Sequence, residues 1–197
     1  FKSAMRDLEI RGAGNLLGAQ QHGHIASVGF EMYSQLLKDA VDKLQNRPVE
    51  KIEPDPTISL NVEAYIDDYF IPNSMHKIEL YQRLAVLRDD TEINDLLDEI
   101  IDRFGEPTEP VINLLKITRI KCAAKKIGLI NLQMNVFTLE LQFGKSVKIS
   151  PAGFNFLQNK FMERMKSSHE KKIIRINLQT KKNLLDTVLM ILKRLQG

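Results

Sequence analysis

Apolar positions follow two rhythms along this chain of 197 residues. Residues 29–45 place Tyr33, Leu36, Leu37, Ala40, Val41 and Leu44 three and four apart, which predicts a helix. Residues 3–11 give a shorter helical pattern with Ala4, Met5 and Leu8. The stretch ISLNVEAYI then alternates Ile58, Leu60, Val62, Ala64 and Ile66 on one side, which predicts a strand. Three helices follow. Ser74 can cap the first, with Met75, Ile78, Tyr81, Leu84 and Ala85 inward. Thr91 can cap the second, whose stripe is Ile93, Leu96, Leu97, Ile100, Ile101 and Phe104, with Gly105 as its stop. Pro107 can open the third, which carries Val111, Leu114, Leu115, Thr118 and Cys122 toward Gly128.

The period then changes to two. Ile130, Leu132 and Met134 alternate, then Phe137, Leu139, Leu141 and Phe143. Gly144-Lys145 can turn into a further strand with Val147 and Ile149. Pro151 suits a helix start with Phe154, Leu157 and Phe161 inward. Ile174, Ile176 and Leu178 predict a last strand, and Leu184, Leu185, Val188, Leu192 and Leu195 a last helix. The fold class is therefore α+β. Residues 1–46 read as a helical hairpin around a glycine-rich loop. Residues 47–57, with Pro48, Pro54 and Pro56, read as a linker. Residues 58–197 read as one compact, helix-rich α+β domain with a small sheet.

Charge sharpens this division. Residues 51–115 carry five basic and fifteen acidic side chains, whereas residues 116–197 carry seventeen basic and four acidic. Such a dipole can fold onto itself, dock on a charged partner or attract nucleic acid. The single Cys122 excludes an internal disulfide and suits a reducing compartment. No apolar run approaches the roughly 20 residues that span a bilayer. The first residues lack an initiator Met and a signal-peptide core, so a piece of a longer chain is expected.

The loop RGAGNLLGAQQHG, residues 11–23, holds Gly12, Gly14, Gly18 and Gly23. It is not a Walker A loop, because Gly18 is followed by Ala19 and Gln20 where a lysine and a hydroxyl must stand. It is not a dinucleotide fingerprint either, because the spacing differs and no buried strand precedes it. Glycines here permit positive φ or a close backbone approach. Arg11, Asn15, Gln20, Gln21, His22 and His24 supply more hydrogen-bonding groups than a filler turn needs. His22 and His24 alone make a weak metal site, and none is expected. No Walker B box or Cys–His–Asp set appears, so catalysis by this chain alone is not expected. The pairs Asp67-Asp68 and Asp89-Asp90 suit loop and helix boundaries better than acid–base chemistry.

The stretch DLEIRGAGNLLGAQQHGHIASVGFEMYSQLL resembles the TRG motif, shared by RecG-type helicases and bacterial transcription-repair coupling factors. The segments DDYFIPNSMHKIELYQRLA (67–85) and EIIDRFGEPTEPVINLL (99–115) are similar to the C-terminal domain of the coupling factors, which RecG-type helicases lack. That resemblance implies the C-terminal part of an ATP-driven translocase on double-stranded DNA, cytoplasmic and associated with the nucleoid when acting. It would displace stalled RNA polymerase and recruit UvrA. ATP and magnesium would be held by the two RecA-like motor lobes, not by this chain. The resemblance makes Arg11 a latch onto those lobes and Gln21 a residue near the DNA path, with Gly12, Gly14, Gly18 and Gly23 allowing tight packing. It makes residues 58–197 a regulatory domain that masks the UvrA-binding surface of an N-terminal UvrB-like region. The acidic face Glu92, Asp95, Asp98, Glu99 and Asp102 is the candidate mask, since a competitor of UvrA should meet a basic surface. A merely solvated helix face remains the plain alternative. A second alternative is a basic nucleic-acid-binding module. It would use Lys121, Lys125, Lys126, Lys145, Lys148, Lys160, Arg164, Lys166, Lys171, Lys172, Lys181 and Lys182.

Overall fold

Capping and periodicity produce five α-helices among the described residues, and a computed structural model describes residues 55–197. The hairpin and loop expected over 1–46 lie outside them. In chain order the elements are β1 (Thr57–Ser59), α1 (Ser74–Val86), α2 (Asp90–Phe104), α3 (Glu109–Lys126), β2 (Leu129–Asn135), β3 (Thr138–Phe143), α4 (Pro151–Phe161), β4 (Met165–Ser168), β5 (Ile173–Asn177) and α5 (Leu184–Gln196). The strands form one mixed sheet in the order β1-β2-β3-β5-β4. β1 runs parallel to β2, and the remaining neighbours are antiparallel.

One face of the sheet is apolar. Leu132, Leu139, Leu141, Ile174 and Ile176 are all buried there, and they join α3, α4 and α5 in a single core. The opposite face is polar. Gln133 stands opposite Glu140, Glu140 opposite Arg175, and Arg175 opposite Lys166. This is the alternation expected of a sheet wetted on one side. α5 buries Leu184, Leu185, Val188, Ile191, Leu192 and Leu195, a complete helical stripe.

Local chemistry moves several expected boundaries. Asn73, not Ser74, caps α1, its side chain accepting from the Met75 and His76 amides. Asp89, not Thr91, caps α2 in the same way, and Gly105 ends α2 at φ 87° as expected. α3 starts two residues after Pro107, with Pro110 in its first turn. Of the strand expected over 58–66, only Ile58 and Ser59 join the ladder, with Thr57 before them. Its burial nevertheless alternates through Ile58, Leu60, Ala64 and Ile66. The start of β1 at Thr57 and the ion pairs of Asp55 with Lys121 and Lys125 carry the folded unit into the stretch read as linker.

In α1 the buried set is Lys77, Leu80, Tyr81 and Leu84, while Met75 is 58% exposed. A lysine occupies one core-facing position, and its ammonium reaches the Asp68 carboxylate. In β2 the ladder slips between Leu129 and Asn131, so Leu129 and Leu132 both face the core. Ile130 is the extra residue and turns outward. The strand expected over 147–149 does not form, and Val147 is exposed. The edge is taken instead by β4, whose sequence MKSS has no apolar alternation.

Gly153, in the first turn of α4, lies against the last turn of α5. A Cβ there would overlap the Arg194 carbonyl. Gly153→Ala should therefore lower stability by about 2 kcal/mol, because overpacking outweighs the roughly 1 kcal/mol of helix propensity gained. Urea unfolding checks this, and a more stable variant would refute the close approach.

Candidate functional site

The five acidic residues expected on one face of α2 do share that face, but they are not equivalent. Glu99 is held. Both its oxygens accept from Arg83 of α1, at 2.5 and 2.6 Å, and Oε1 also accepts from Arg103 at 3.0 Å. Arg103 reaches back to Glu79 of α1 at 3.0 Å. Two glutamates and two arginines thus bridge α1 and α2. Each helix supplies an i,i+4 Glu–Arg pair, Glu79–Arg83 and Glu99–Arg103. The hydrogen bonds from Arg83, then those from Arg103, pull the Glu99 carboxyl from 4.5 down to about 2. The Arg103 hydrogen bond likewise holds Glu79 below its usual range.

Glu92 is exposed and accepts from the Arg88 amide at 2.8 Å, closing the turn into α2. Asp95, Asp98 and Asp102 are exposed and form no ion pair with any described residue. They are the free charges of this face. The helix beneath them is fixed by Ile93, Leu96 and Ile100 in the core. Asp90, at the start of the same helix, binds Lys193 at 2.6 Å and Arg119 at 3.2 Å. The Lys193 hydrogen bond is the main cause of its lowered carboxyl pKa.

The paired aspartates behave as structural acids. Asp89 caps α2. Asp67 accepts from the Phe70 amide at 2.8 Å and from the Thr108 hydroxyl. Cys122 is half-buried, its thiol turned to the Leu87 carbonyl at 3.5 Å, and burial pushes its pKa up. Among the described residues no group of three or more His, Cys, Asp or Glu is placed to hold a metal. No described helix is long and apolar enough to cross a membrane.

The basic residues fall into several groups. Lys121 and Lys125 neutralise Asp55 at 3.1 and 2.7 Å. Arg164 binds Gln179 and stacks on Phe161, and Lys160 lies over Phe156. The Lys172 ammonium meets the Gly144 carbonyl at 3.4 Å. Lys126, Lys145, Lys148, Lys166, Lys171, Lys181 and Lys182 are exposed. The end of α3, the β3–α4 loop and the β4–β5 turn, which carry Lys126, Lys145, Lys148, Lys171 and Lys172, are joined by backbone hydrogen bonds from the Lys148 amide to Ile127 at 3.0 Å, Gly144 to Gly128 at 2.9 Å and Phe143 to Lys172 at 2.9 Å. Lys166 lies on β4, and Lys181 and Lys182 in the loop before α5. Arg11, Gly12, Gly14, Gly18, Gln21 and Gly23 lie outside the described residues.

The charge cluster is testable through pH. Glu99 has a depressed folded pKa, so its contribution is fully present above about pH 4.5 and is lost as pH falls toward 2. The melting temperature of wild type should exceed that of Glu99→Gln near neutrality, and the gap should close between pH 4.5 and 2. A gap independent of pH would show that the carboxylate is not what Arg83 and Arg103 hold.

A TRCF domain family model matches residues 60–154. The Bacillus subtilis (strain 168) transcription-repair-coupling factor is 38% identical over 202 residues, covering 100% of this chain and 17% of that protein. The Staphylococcus haemolyticus protein of the same name is 42% identical over 153 residues, covering 76% of this chain and 12% of that protein. Its Staphylococcus aureus (strain USA300) counterpart is 45% identical over 130 residues, covering 66% of this chain and 11% of that protein. The crystal structure of a C-terminal domain of transcription-repair coupling factor superposes with a TM-score of 0.63 at 22% identity, covering 72% of this chain and 91% of that one. The chain thus spans less than one fifth of the length of these curated relatives. On these matches the chain belongs to the transcription-repair coupling factor family.

Proposed function

We propose that this chain is the motor-coupling and regulatory part of a DNA translocase of transcription-coupled nucleotide excision repair. In this reading the longer protein hydrolyses ATP in two RecA-like lobes, moves on double-stranded DNA, displaces stalled RNA polymerase and recruits UvrA. This chain supplies no hydrolytic residue. Residues 1–46 transmit lobe closure to the DNA. Arg11 latches the hairpin to the lobes and Gln21 lies beside the DNA path. Gly12, Gly14, Gly18 and Gly23 let the loop backbone approach closely. Residues 58–197 cover the UvrA-binding surface of an N-terminal UvrB-like region until the motor engages.

The observation that supports the mask is the row Asp95, Asp98 and Asp102, outward on α2 and without a described ion-pair partner. A mask must let go. Charged contacts at a rim confer specificity and fast encounter at modest affinity, which suits a releasable clasp. Nucleic-acid binding by the basic half has less support, since Lys121 and Lys125 are committed to Asp55, and Lys160 and Arg164 lie over aromatic rings of α4.

The test is a titration of this chain against the UvrB-like region of the same protein, over a salt series and with UvrA as competitor. Saturable binding is expected, displaced by UvrA and weakened at least tenfold (roughly 1.4 kcal/mol) by Asp95→Lys with Asp98→Lys. Absence of binding at low salt, beside salt-steep DNA binding in a parallel titration, would favour the nucleic-acid module instead. For the coupling role, Arg11→Ala and Gln21→Ala in the full-length protein should keep ATP hydrolysis and lose polymerase displacement. Displacement at the normal rate in both variants would refute the latch.

A further inference from the structure

The turn that leads into α1 displays one aromatic ring in a fixed position. Tyr69 is 92% exposed, the highest value of any large apolar or aromatic side chain among the described residues. Everything around it is held. Ile66 and Ile71 on either side are buried. The Ile66 amide donates to the Tyr81 hydroxyl at 2.9 Å, and the Ile71 amide to the Asp67 carbonyl at 3.0 Å. Asp67 fixes the turn through the Phe70 amide and the Thr108 hydroxyl. Asp68 is tied to Lys77, a lysine that is itself only 2% exposed. Phe70 packs edge-on against Phe104, with ring centroids 6.2 Å apart. The Tyr69 side chain has no hydrogen bond or ring contact with any described residue.

Single exposed apolar side chains are ordinary on protein surfaces. Tyr69 differs in two respects. Its backbone is ordered before any partner arrives, so a contact through the ring costs little extra ordering. The helix it leads into also exposes apolar side chains. Met75, in the first turn of α1, is 58% exposed, and Val86, three turns along the same side of α1, is 60% exposed. The Arg83–Glu99 and Arg103–Glu79 bridges join this helix to the acidic face of α2.

We infer that Tyr69 is the aromatic anchor of the docking face on α1 and α2, and that its partner is a basic protein surface with a shallow apolar pocket. This rests on the masking role proposed above and adds its central contact. The turn that carries the ring abuts the end of α2, through Phe70 on Phe104, and so lies on the helix that bears the unpaired Asp95, Asp98 and Asp102. An arginine or lysine of a partner drawn to these acids can stack on an exposed aromatic face. The same carboxylates repel a phosphate backbone, which favours a protein over nucleic acid as the occupant.

The experiment uses the whole chain and measures its dissociation constant for the UvrB-like region of the same protein. Tyr69→Ala should leave the melting temperature nearly unchanged, because the side chain is 92% exposed and makes no hydrogen bond or ring contact with a described residue. It should raise the dissociation constant about 30-fold or more, and Tyr69→Phe should stay within about threefold of wild type. If Tyr69→Ala binds as wild type does while Asp95→Lys with Asp98→Lys weakens binding, the anchor is wrong and the acidic mask stands. If Tyr69→Ala weakens binding and the aspartate reversals do not, the anchor stands and the acidic row falls. If the wild-type chain does not bind, both ideas are overturned together.

Discussion

Burial of α3 on more than one side is the constraint on which the rest depends. Val111, Leu114, Leu115, Ile117, Thr118, Ile120, Ala123 and Ala124 are all out of solvent along one 18-residue helix. Ala123 and Ala124 are small, which lets neighbouring elements come close. Thr118 is the polar exception, and it satisfies its hydroxyl on the Leu114 carbonyl one turn back. α2 packs on one flank of this helix, and α5 and the sheet on others. Because α2 is set by that contact, the direction in which Asp95, Asp98 and Asp102 point is set by it too. The surface is a product of the core.

How much of this was legible depended on whether one face of an element stayed apolar. α5 and α2 could be read from period alone, since their buried stripes are complete. α1 was read with Tyr81 and Leu84 inward as found, but rotated by about a quarter of a turn, because Lys77 stands where a core residue is expected. Spacing alone then favours Met75. The β2 bulge was invisible for a related reason. Ile130 looks like a core residue by alternation, and only a ladder slip puts Leu129 inward instead. β4 gave no signal, because an edge strand needs backbone partners more than apolar side chains. At the candidate face, the acidic helix was legible as a row of charges. Its division into a neutralised Glu99 and free Asp95, Asp98 and Asp102 needed tertiary structure. The Glu79–Arg83 and Glu99–Arg103 spacings were the signal that could have shown it.

The opposed charges of the two halves meet inside the fold. Asp55 takes Lys121 and Lys125, and Asp90 takes Arg119 and Lys193; within the basic half, Asp186 takes Lys116. Exposed pairs of this kind contribute about 0–1 kcal/mol each, so they align elements more than they stabilise them. Neutralisation is uneven, however. It consumes acids at helix ends and at the seam between α1 and α2, and it leaves the outward middle of α2 negative. The polar turn before α1 shows the same economy. Asp67 and Asp68 are both committed to the fold, which leaves the adjacent ring of Tyr69 as the one uncommitted side chain there.

β1 carries a consequence for the order of assembly. It has three ladder residues, and its partner Leu132 lies more than 70 positions beyond Ile58. The loop it closes contains α1, α2 and α3, so the pairing gathers its small reward only after a long stretch of chain has been ordered. The helical pair and α3 can therefore form first, with β1 as a late stitch. The same shortness makes it an early place to open, held chiefly by Ile58 in the core and by Asp55 on α3. Residues before 55 enter the domain through that stitch. A pull on them would reach the domain at its most locally reversible point, sparing the helices that present the docking face.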